Sequence, residues 1–276
     1  MTQFNSNQSA LSSIATSSNE LLVIRKNAGS VVTLTLNSPK QFNALSVELL
    51  TAMQAELDSI GQDTTIQVLV IAANGKAFCT GHNLKEMHAN PDEAFQRALF
   101  EQCSQMMLTI NRMPQVVIAK VQGIATAAGC QLVAACDLAV ASDNTKFATS
   151  GINVGLFCST PAVAVSRNLS RKQAFEMLIT GEFIDAYTAL QQGLINRVAS
   201  AEQLDQTLQS LIEAITAKSS VAVRTGKNMF YKQLHMELAE AYESAAEVMT
   251  CNMMADDVSE GIDAFIEKRP AVWTGR

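Results

Sequence analysis

The sequence predicts an α/β protein, a parallel sheet with helical crossovers followed by a mainly helical C-terminal part. Three observations carry this. Up to about residue 150, short apolar runs alternate with segments of helical spacing, in the order strand, helix, strand, helix, strand, helix, strand. Strands joined through helices pair in parallel, because a parallel pair needs a long crossover. From Ser159 onward the pattern turns almost wholly helical. Finally, 276 residues with 48% hydrophobic content are enough for a sizeable core, and no low-complexity linker divides the chain. We therefore expect one core at residues 21–200, a helical region at 201–276, and a flexible Ser/Asn/Thr-rich tail at 1–20.

The elements follow in order. LLVIRKNAGSVVTLTLNSP reads as two strands around an Asn-Ala-Gly-Ser turn. SVELLTAMQAELDSI has helical spacing, with Ser46 as N-cap and Glu48 in the first turn. IQVLVIAA is a buried strand. NGKAFCTGHNLKEM is a glycine-punctuated loop that turns helical near its end, and a long helix begins just after Pro91. PQVVIAKVQG is a further buried strand, then a helix opens near Ala128 and leads into the strand DLAVAS. Beyond Ser159, helices are expected near 159–169, 171–179, 185–192, 201–217, 219–234, 237–254 and 256–268.

Net charge is −6 and no basic stripe is present, so nucleic acid is not an expected partner, although a small anion remains compatible with local lysines and helix N-termini. No apolar run is long enough to span a bilayer, so no membrane partner is expected. The six cysteines lack CxxC spacing and sit in apolar contexts, which predicts reduced thiols and a cytoplasmic location. No arginine precedes Arg25, which argues against a transit peptide. His82, His88 and His235 have no metal-ligand pattern, so no metal is expected. GxGxxG, GxxxxGK[ST] and GxSxG are all absent.

What remains is a site built from backbone groups, in two loops. In KAFCTGHNLKEM, Gly81 forces a sharp turn whose following N–H groups can point into a cleft, or it simply joins strand to helix. In GIATAAGCQ, Gly123 and Gly129 permit close approach of a ligand or of another chain segment. The helix starting near Ala128 has free N–H groups at its positive end. One N–H from each loop would make an oxyanion hole. Helical side chains lean toward the N-terminus, so Gln131 is expected at the helix mouth.

Taken together, LNSPKQFNALS, KAFCTGHNLKEM, GIATAAGCQLVAACDLAVAS, FATSGINVGL, LITGEFIDAYTALQQGLINRV and EGIDAFIEKRPAVW resemble, in order, the motifs of the crotonase (enoyl-CoA hydratase/isomerase) superfamily. The resemblance runs from about Leu21 to Trp273. It implies a crotonase-type ββα spiral core, a helical C-terminal trimerisation region, and a homotrimer or dimer of trimers. It implies an acyl-CoA thioester as ligand, with coenzyme A part of the substrate and no prosthetic group. The oxyanion donors fall on the His82 and Ala128 N–H groups. Lys40 and Phe42 match the first CoA-contact loop, and Thr80, Gly81, His82, Asn83 and Leu84 line the adenine and pantetheine path. Phe265 and Lys268 match a Phe and a Lys that approach the CoA phosphates, often those of a neighbouring subunit.

The resemblance also defines two losses. Family hydratases use two glutamates as paired acid and base, and here Gln131 and Gly151 stand in their places. An amide cannot shuttle a proton, and each such group contributes roughly 100- to 10,000-fold. Ordinary enoyl-CoA hydration is therefore not expected. Asn83 replaces a frequent Asp, and Ala128 a frequent Gly, the latter keeping its N–H. Three activities follow as expectations: enolate stabilisation on an acyl-CoA by unidentified chemistry, decarboxylation of a malonyl-type CoA ester using His82, and non-catalytic acyl-CoA binding. GHNLKEM is similar to the corresponding segment of methylmalonyl-CoA decarboxylase, which carries a tyrosine where Cys158 falls. FATSGINVGLFCSTP, with Gln131, is similar to the branch of enoyl-CoA hydratase domain-containing proteins of type three. Cys158 is read as a buried structural thiol, and Glu86 and Asp137 as holders of loop and helix geometry.

Overall fold

The computed structural model describes residues 21–276, so the expected tail at 1–20 lies outside the described residues. The chain opens with β1 (Val23–Ala28), β2 (Val31–Leu36), α1 (Val47–Gln62) and β3 (Val68–Ala73). Next come α2 (Leu84–Ala89), α3 (Glu93–Arg112), β4 (Val116–Val121), β5 (Ile124–Thr126), α4 (Ala128–Ala135), β6 (Leu138–Ser142) and β7 (Lys146–Ala148). The later part holds α5 (Ser159–Val165), α6 (Arg171–Thr180), β8 (Ile184–Asp185), α7 (Ala186–Gln192), β9 (Arg197–Ala199) and α8 (Leu204–Thr216). It ends in α9 (Ser220–Gln233), α10 (Leu238–Met253) and α11 (Asp256–Glu267).

The main sheet has the order β1-β2-β3-β4-β6-β9. Only β1 and β2 are antiparallel; every later pairing in this sheet is parallel. The first hairpin is tighter than expected: β1 runs on through Asn27 and Ala28, and Gly29, at φ +59°, makes the turn with Ser30. A turn of two residues matches the twist of the flanking strands. A second small sheet, β5-β7-β8, stands apart from the first. Its strands have two or three residues, too few for a period, which is why the sequence does not announce them.

The central strands are apolar throughout because both faces of the sheet are covered. Leu69, Ile71, Val117 and Ala119 point into the main core with α1, α3 and α4. Val68, Val70, Ile118 and Val140 point the other way, against Leu204, Leu208 and Ile212 of α8. α1 begins as expected, with Ser46 Oγ accepting the Leu49 N–H at 3.2 Å.

The C-terminal helices are tied on by polar contacts. The Lys227 ammonium on α9 donates to the Ile110 and Gln115 carbonyls at 3.0 and 2.7 Å and to Asp137 Oδ2 at 2.7 Å. Asp137 also accepts from the Val117 N–H and the Tyr231 hydroxyl, both at 2.7 Å. Burial pushes the Asp137 carboxyl up, against the pull of Lys227. The last residues fold back over α11: Asp257 accepts from Ser219, Thr274 and Gly275, and the Trp273 indole donates to the Ala217 carbonyl at 2.8 Å. Neither α9 nor α10 buries an apolar side chain fully.

Candidate active site

The site forms where three loops leave the C-terminal ends of β2, β3 and β5. The first is fixed by Asn43, fully buried and at φ +53°, a conformation Asn tolerates better than most residues. Its Oδ1 accepts the Ser38 N–H at 2.8 Å, and its Nδ2 donates to the Asn74 and Ala77 carbonyls, both at 2.9 Å. The second loop is laced to the first. The Leu45 N–H donates to the Gly81 carbonyl at 2.8 Å, and the Asn83 N–H to the Leu45 carbonyl at 3.2 Å. The Thr80 hydroxyl donates to the Phe42 carbonyl at 3.4 Å. Asn83 caps α2, its Oδ1 accepting from the Lys85 and Glu86 N–H groups, so the change from Asp leaves the cap intact.

The third loop enters α4 through Ala127, whose backbone, at φ +51° and ψ −122°, is one that side chains rarely adopt. The Ala127 N–H is held by the Ala148 carbonyl at 3.0 Å, and Thr126 and Ser150 share a hydroxyl hydrogen bond of 2.7 Å. The loop packs directly on its neighbour. A Cβ on Gly123 would stand 1.9 Å from the Lys76 carbonyl oxygen, and one on Gly129 would stand 2.1 Å from that of Cys79. These glycines admit another chain segment, which resolves the choice that the sequence leaves open. At Gly81, φ +88°, a Cβ would stand 2.8 Å from the Ala127 Cβ and 3.1 Å from the Ala128 nitrogen. The two loops meet there, beside His82 and Ala128. Neither N–H donates to any hydrogen bond among the described residues.

Both residues line a cavity of about 280 Å³, together with Thr80, Leu84, Gly151 and Cys158. The His82 ring is largely buried, meets Phe100 edge-on at 5.4 Å, and lies near the Leu45 backbone, with no hydrogen bond of good geometry on either nitrogen among the described residues. Burial holds its pKa down to about 4, so the imidazole is neutral at pH 7. The space beside Gly151, where the resemblance puts the second glutamate, is filled. A Cβ on Gly151 would lie 2.8 Å from Cys158 Sγ and 2.7 Å from the Leu156 carbonyl oxygen. Cys158 is buried and also faces the cavity; burial pushes its thiol up, and the Gly151 backbone partly opposes this.

Other expected residues lie elsewhere. Gln131 is buried within α4 with Oε1 unpartnered, and the cavity wall does not reach it. Lys40 and Phe42 are exposed beside the Thr80 loop. Phe265 is exposed on α11 and Lys268 is its left-handed C-cap, so neither joins this cavity. Glu86 and Asp137 act in geometry, Glu86 accepting the Val47 N–H at the start of α1 at 3.2 and 3.4 Å. Met87, Phe100, Ser150, Phe157 and Pro161 line the cavity without having been singled out. Nothing distinguishes them in sequence from packing residues.

The sequence pattern of the enoyl-CoA hydratase/isomerase family matches residues 26–276. Enoyl-CoA hydratase domain-containing protein 3, mitochondrial, of Xenopus laevis is 43% identical over 254 residues, covering 92% of this chain and 86% of that protein. The Homo sapiens protein of the same name is 43% identical over 241 residues, covering 87% and 80%. Among solved structures, enoyl-CoA hydratase of Mycobacterium smegmatis superposes with a TM-score of 0.91 at 50% identity, covering 92% of this chain and 99% of that one. Human enoyl-CoA hydratase domain-containing protein 3 superposes at 0.89 with 41% identity, covering 92% and 100%. With its parallel sheet, helical C-terminal region and this match along nearly its whole length, the chain belongs to the enoyl-CoA hydratase/isomerase family of the crotonase superfamily.

Proposed function

We propose that the chain binds an acyl-CoA thioester with its carbonyl oxygen between the His82 and Ala128 N–H groups, and stabilises the enolate without the paired-glutamate proton transfer of a hydratase. One observation supports this reading: His82 and Ala128, on loops that touch at Gly81, line a single cavity, and neither N–H donates to a hydrogen bond among the described residues. Preorganised donors aimed at a developing oxyanion are worth several kcal/mol in a water-poor site, at about 2.7–4 kcal/mol per donor. Proton transfer lacks a carrier, since no Asp, Glu or Lys among the described residues lines the cavity and His82 is a weak base. Decarboxylation through His82 draws less support, because a neutral ring offers a substrate carboxylate no charge. Phe265 and Lys268 are assigned to the CoA phosphates of a neighbouring copy. That assignment makes a trimer or dimer of trimers part of the proposal, supported by apolar side chains exposed on α9 to α11, among them Phe230, Tyr242, Met249 and Ile266.

The test is crotonyl-CoA, with hydration followed by loss of the enoyl-thioester absorbance and binding followed by calorimetry. We expect binding, with turnover at least about 10,000-fold below that of a two-glutamate hydratase. Brisk hydration would overturn the missing-carrier argument. Absence of binding would overturn the site.

A further inference from the structure

We propose that a second cavity, at the opposite end of the main sheet from the candidate active site, binds a small phosphate ester of nucleotide size. This goes beyond the acyl-CoA reading above and does not rest on it. The cavity has a volume of about 660 Å³ and opens between the C-terminal end of α3, α9 and α10. Met113 and Pro114, in its wall, lead into the N-terminal end of β4, whereas the candidate active site stands at the C-terminal ends of the strands. The two cavities share no lining residue.

The charge of this second cavity is one-sided. Arg112, Arg224, Lys227, Lys232 and His235 line it and no Asp or Glu among the described residues does, in a chain whose net charge is −6. Lys227 is already committed, since its ammonium donates to the Ile110 and Gln115 carbonyls and to Asp137. The other four form no ion pair among the described residues. Arg224 donates to the Gly275 carbonyl at 3.3 Å and Lys232 to the Ser244 hydroxyl at 3.2 Å, both neutral acceptors. Arg112 and Lys232 stand in the last turns of α3 and α9, where a cation answers the helix dipole. Arg224 has no such role, because it lies in the first half of α9, nearer the positive end. Guanidinium groups meet phosphate oxygens in paired, charge-assisted hydrogen bonds. Leu108, Met113, Pro114 and Val248 add an apolar stretch of wall, which suits a ligand that carries an apolar or flat body beside its phosphate. Such a ligand would bridge parts that the protein joins weakly. Arg112 belongs to the core, Arg224 and Lys232 to α9, and Val248 to α10, and neither of these two helices fully buries a side chain of its own.

The experiment is calorimetric titration of the full-length protein in its native assembly, with ADP as the probe and adenosine and citrate as comparisons. We expect ADP to bind and adenosine to bind at least about 100-fold more weakly, because it lacks the charged acceptors. Citrate, an anion without phosphate or an apolar body, should bind at least about tenfold more weakly than ADP. Arg112→Gln and Arg224→Gln should each weaken ADP binding at least about tenfold; Arg112 is exposed, so its replacement is compatible with folding. Amide hydrogen exchange on the unaltered protein needs no variant, and ADP should slow exchange in α9 and α10. Failure of ADP to bind, equal binding of adenosine or citrate, ADP affinity unchanged in both variants, or slowed exchange only outside α9 and α10 would overturn the proposal. Each of these results would leave the acyl-CoA site standing.

Discussion

Gly81→Ala probes the contact on which the site depends. The new methyl would stand 2.8 Å from the Ala127 Cβ and 3.1 Å from the Ala128 nitrogen, at a residue whose φ is +88°. Left-handed backbone costs a non-glycine residue about 1–2 kcal/mol, and overpacking of this kind costs about 1–3 kcal/mol. The expected destabilisation is the sum, about 2–5 kcal/mol, seen as a fall in thermal midpoint at fixed protein concentration. The loops must part to admit the methyl, so the two N–H groups should also lose their common aim, and hexanoyl-CoA binding should weaken more than free coenzyme A binding. Ala127→Gly should act in the opposite direction. It removes the Cβ that the new methyl meets and relieves the backbone at φ +51°, ψ −122°. In the double variant Gly81→Ala/Ala127→Gly, we expect about 1–3 kcal/mol to return, leaving the cost of φ at residue 81 and the 3.1 Å approach to the Ala128 nitrogen. Thermal midpoints and ester affinities of the four proteins complete the cycle. A Gly81→Ala protein within about 0.5 kcal/mol of the parent, with hexanoyl-CoA binding unchanged, would refute the claim that the loops are joined at this point.

Further outcomes follow from the same geometry. Gly151→Ala should lower stability by about 1–3 kcal/mol, and Cys158→Ala in the same chain should recover only part of it, because the Leu156 carbonyl remains 2.7 Å from the new methyl; full recovery in urea melts would contradict this. For the same reason Gln131→Glu/Gly151→Glu should fail to hydrate crotonyl-CoA, and a brisk rate would show that the corner has room. His82 has its folded pKa lowered from 6.5 to about 4, so the unfolded chain binds the extra proton first and stability falls as pH drops from 6.5 toward 4. The loss assigned to this one ring is about 3 kcal/mol. His82→Leu should flatten the pH dependence in that window, and identical curves for the two proteins would refute the burial argument. Lys227→Met should cost about 3–5 kcal/mol by leaving Asp137 without its cation, with partial recovery on adding Asp137→Asn; a neutral Lys227→Met would mean that α9 is held mainly by other contacts.

The sequence by itself determined the periodic elements. The parallel order of the central strands, the N-cap at Ser46, the helix opening at Ala128 and the run of helices after Ser159 all lie in local patterns, and local patterns survive without a tertiary structure. The motif order likewise identified the family. Tertiary structure decided what depends on contacts between distant segments. The second sheet is made of strands too short to show a period. Gly123 and Gly129 serve the Lys76 and Cys79 carbonyls, partners far along the chain, so sequence alone could not choose between ligand and neighbour. That Gln131 is buried outside the cavity lining, and that Cys158 Sγ stands where a side chain on Gly151 would begin, depends on how α4, α5 and the turn at residue 151 pack together. Proton-transfer groups are lost one residue at a time and can be read from a motif. The shape that replaces them forms only when those segments meet.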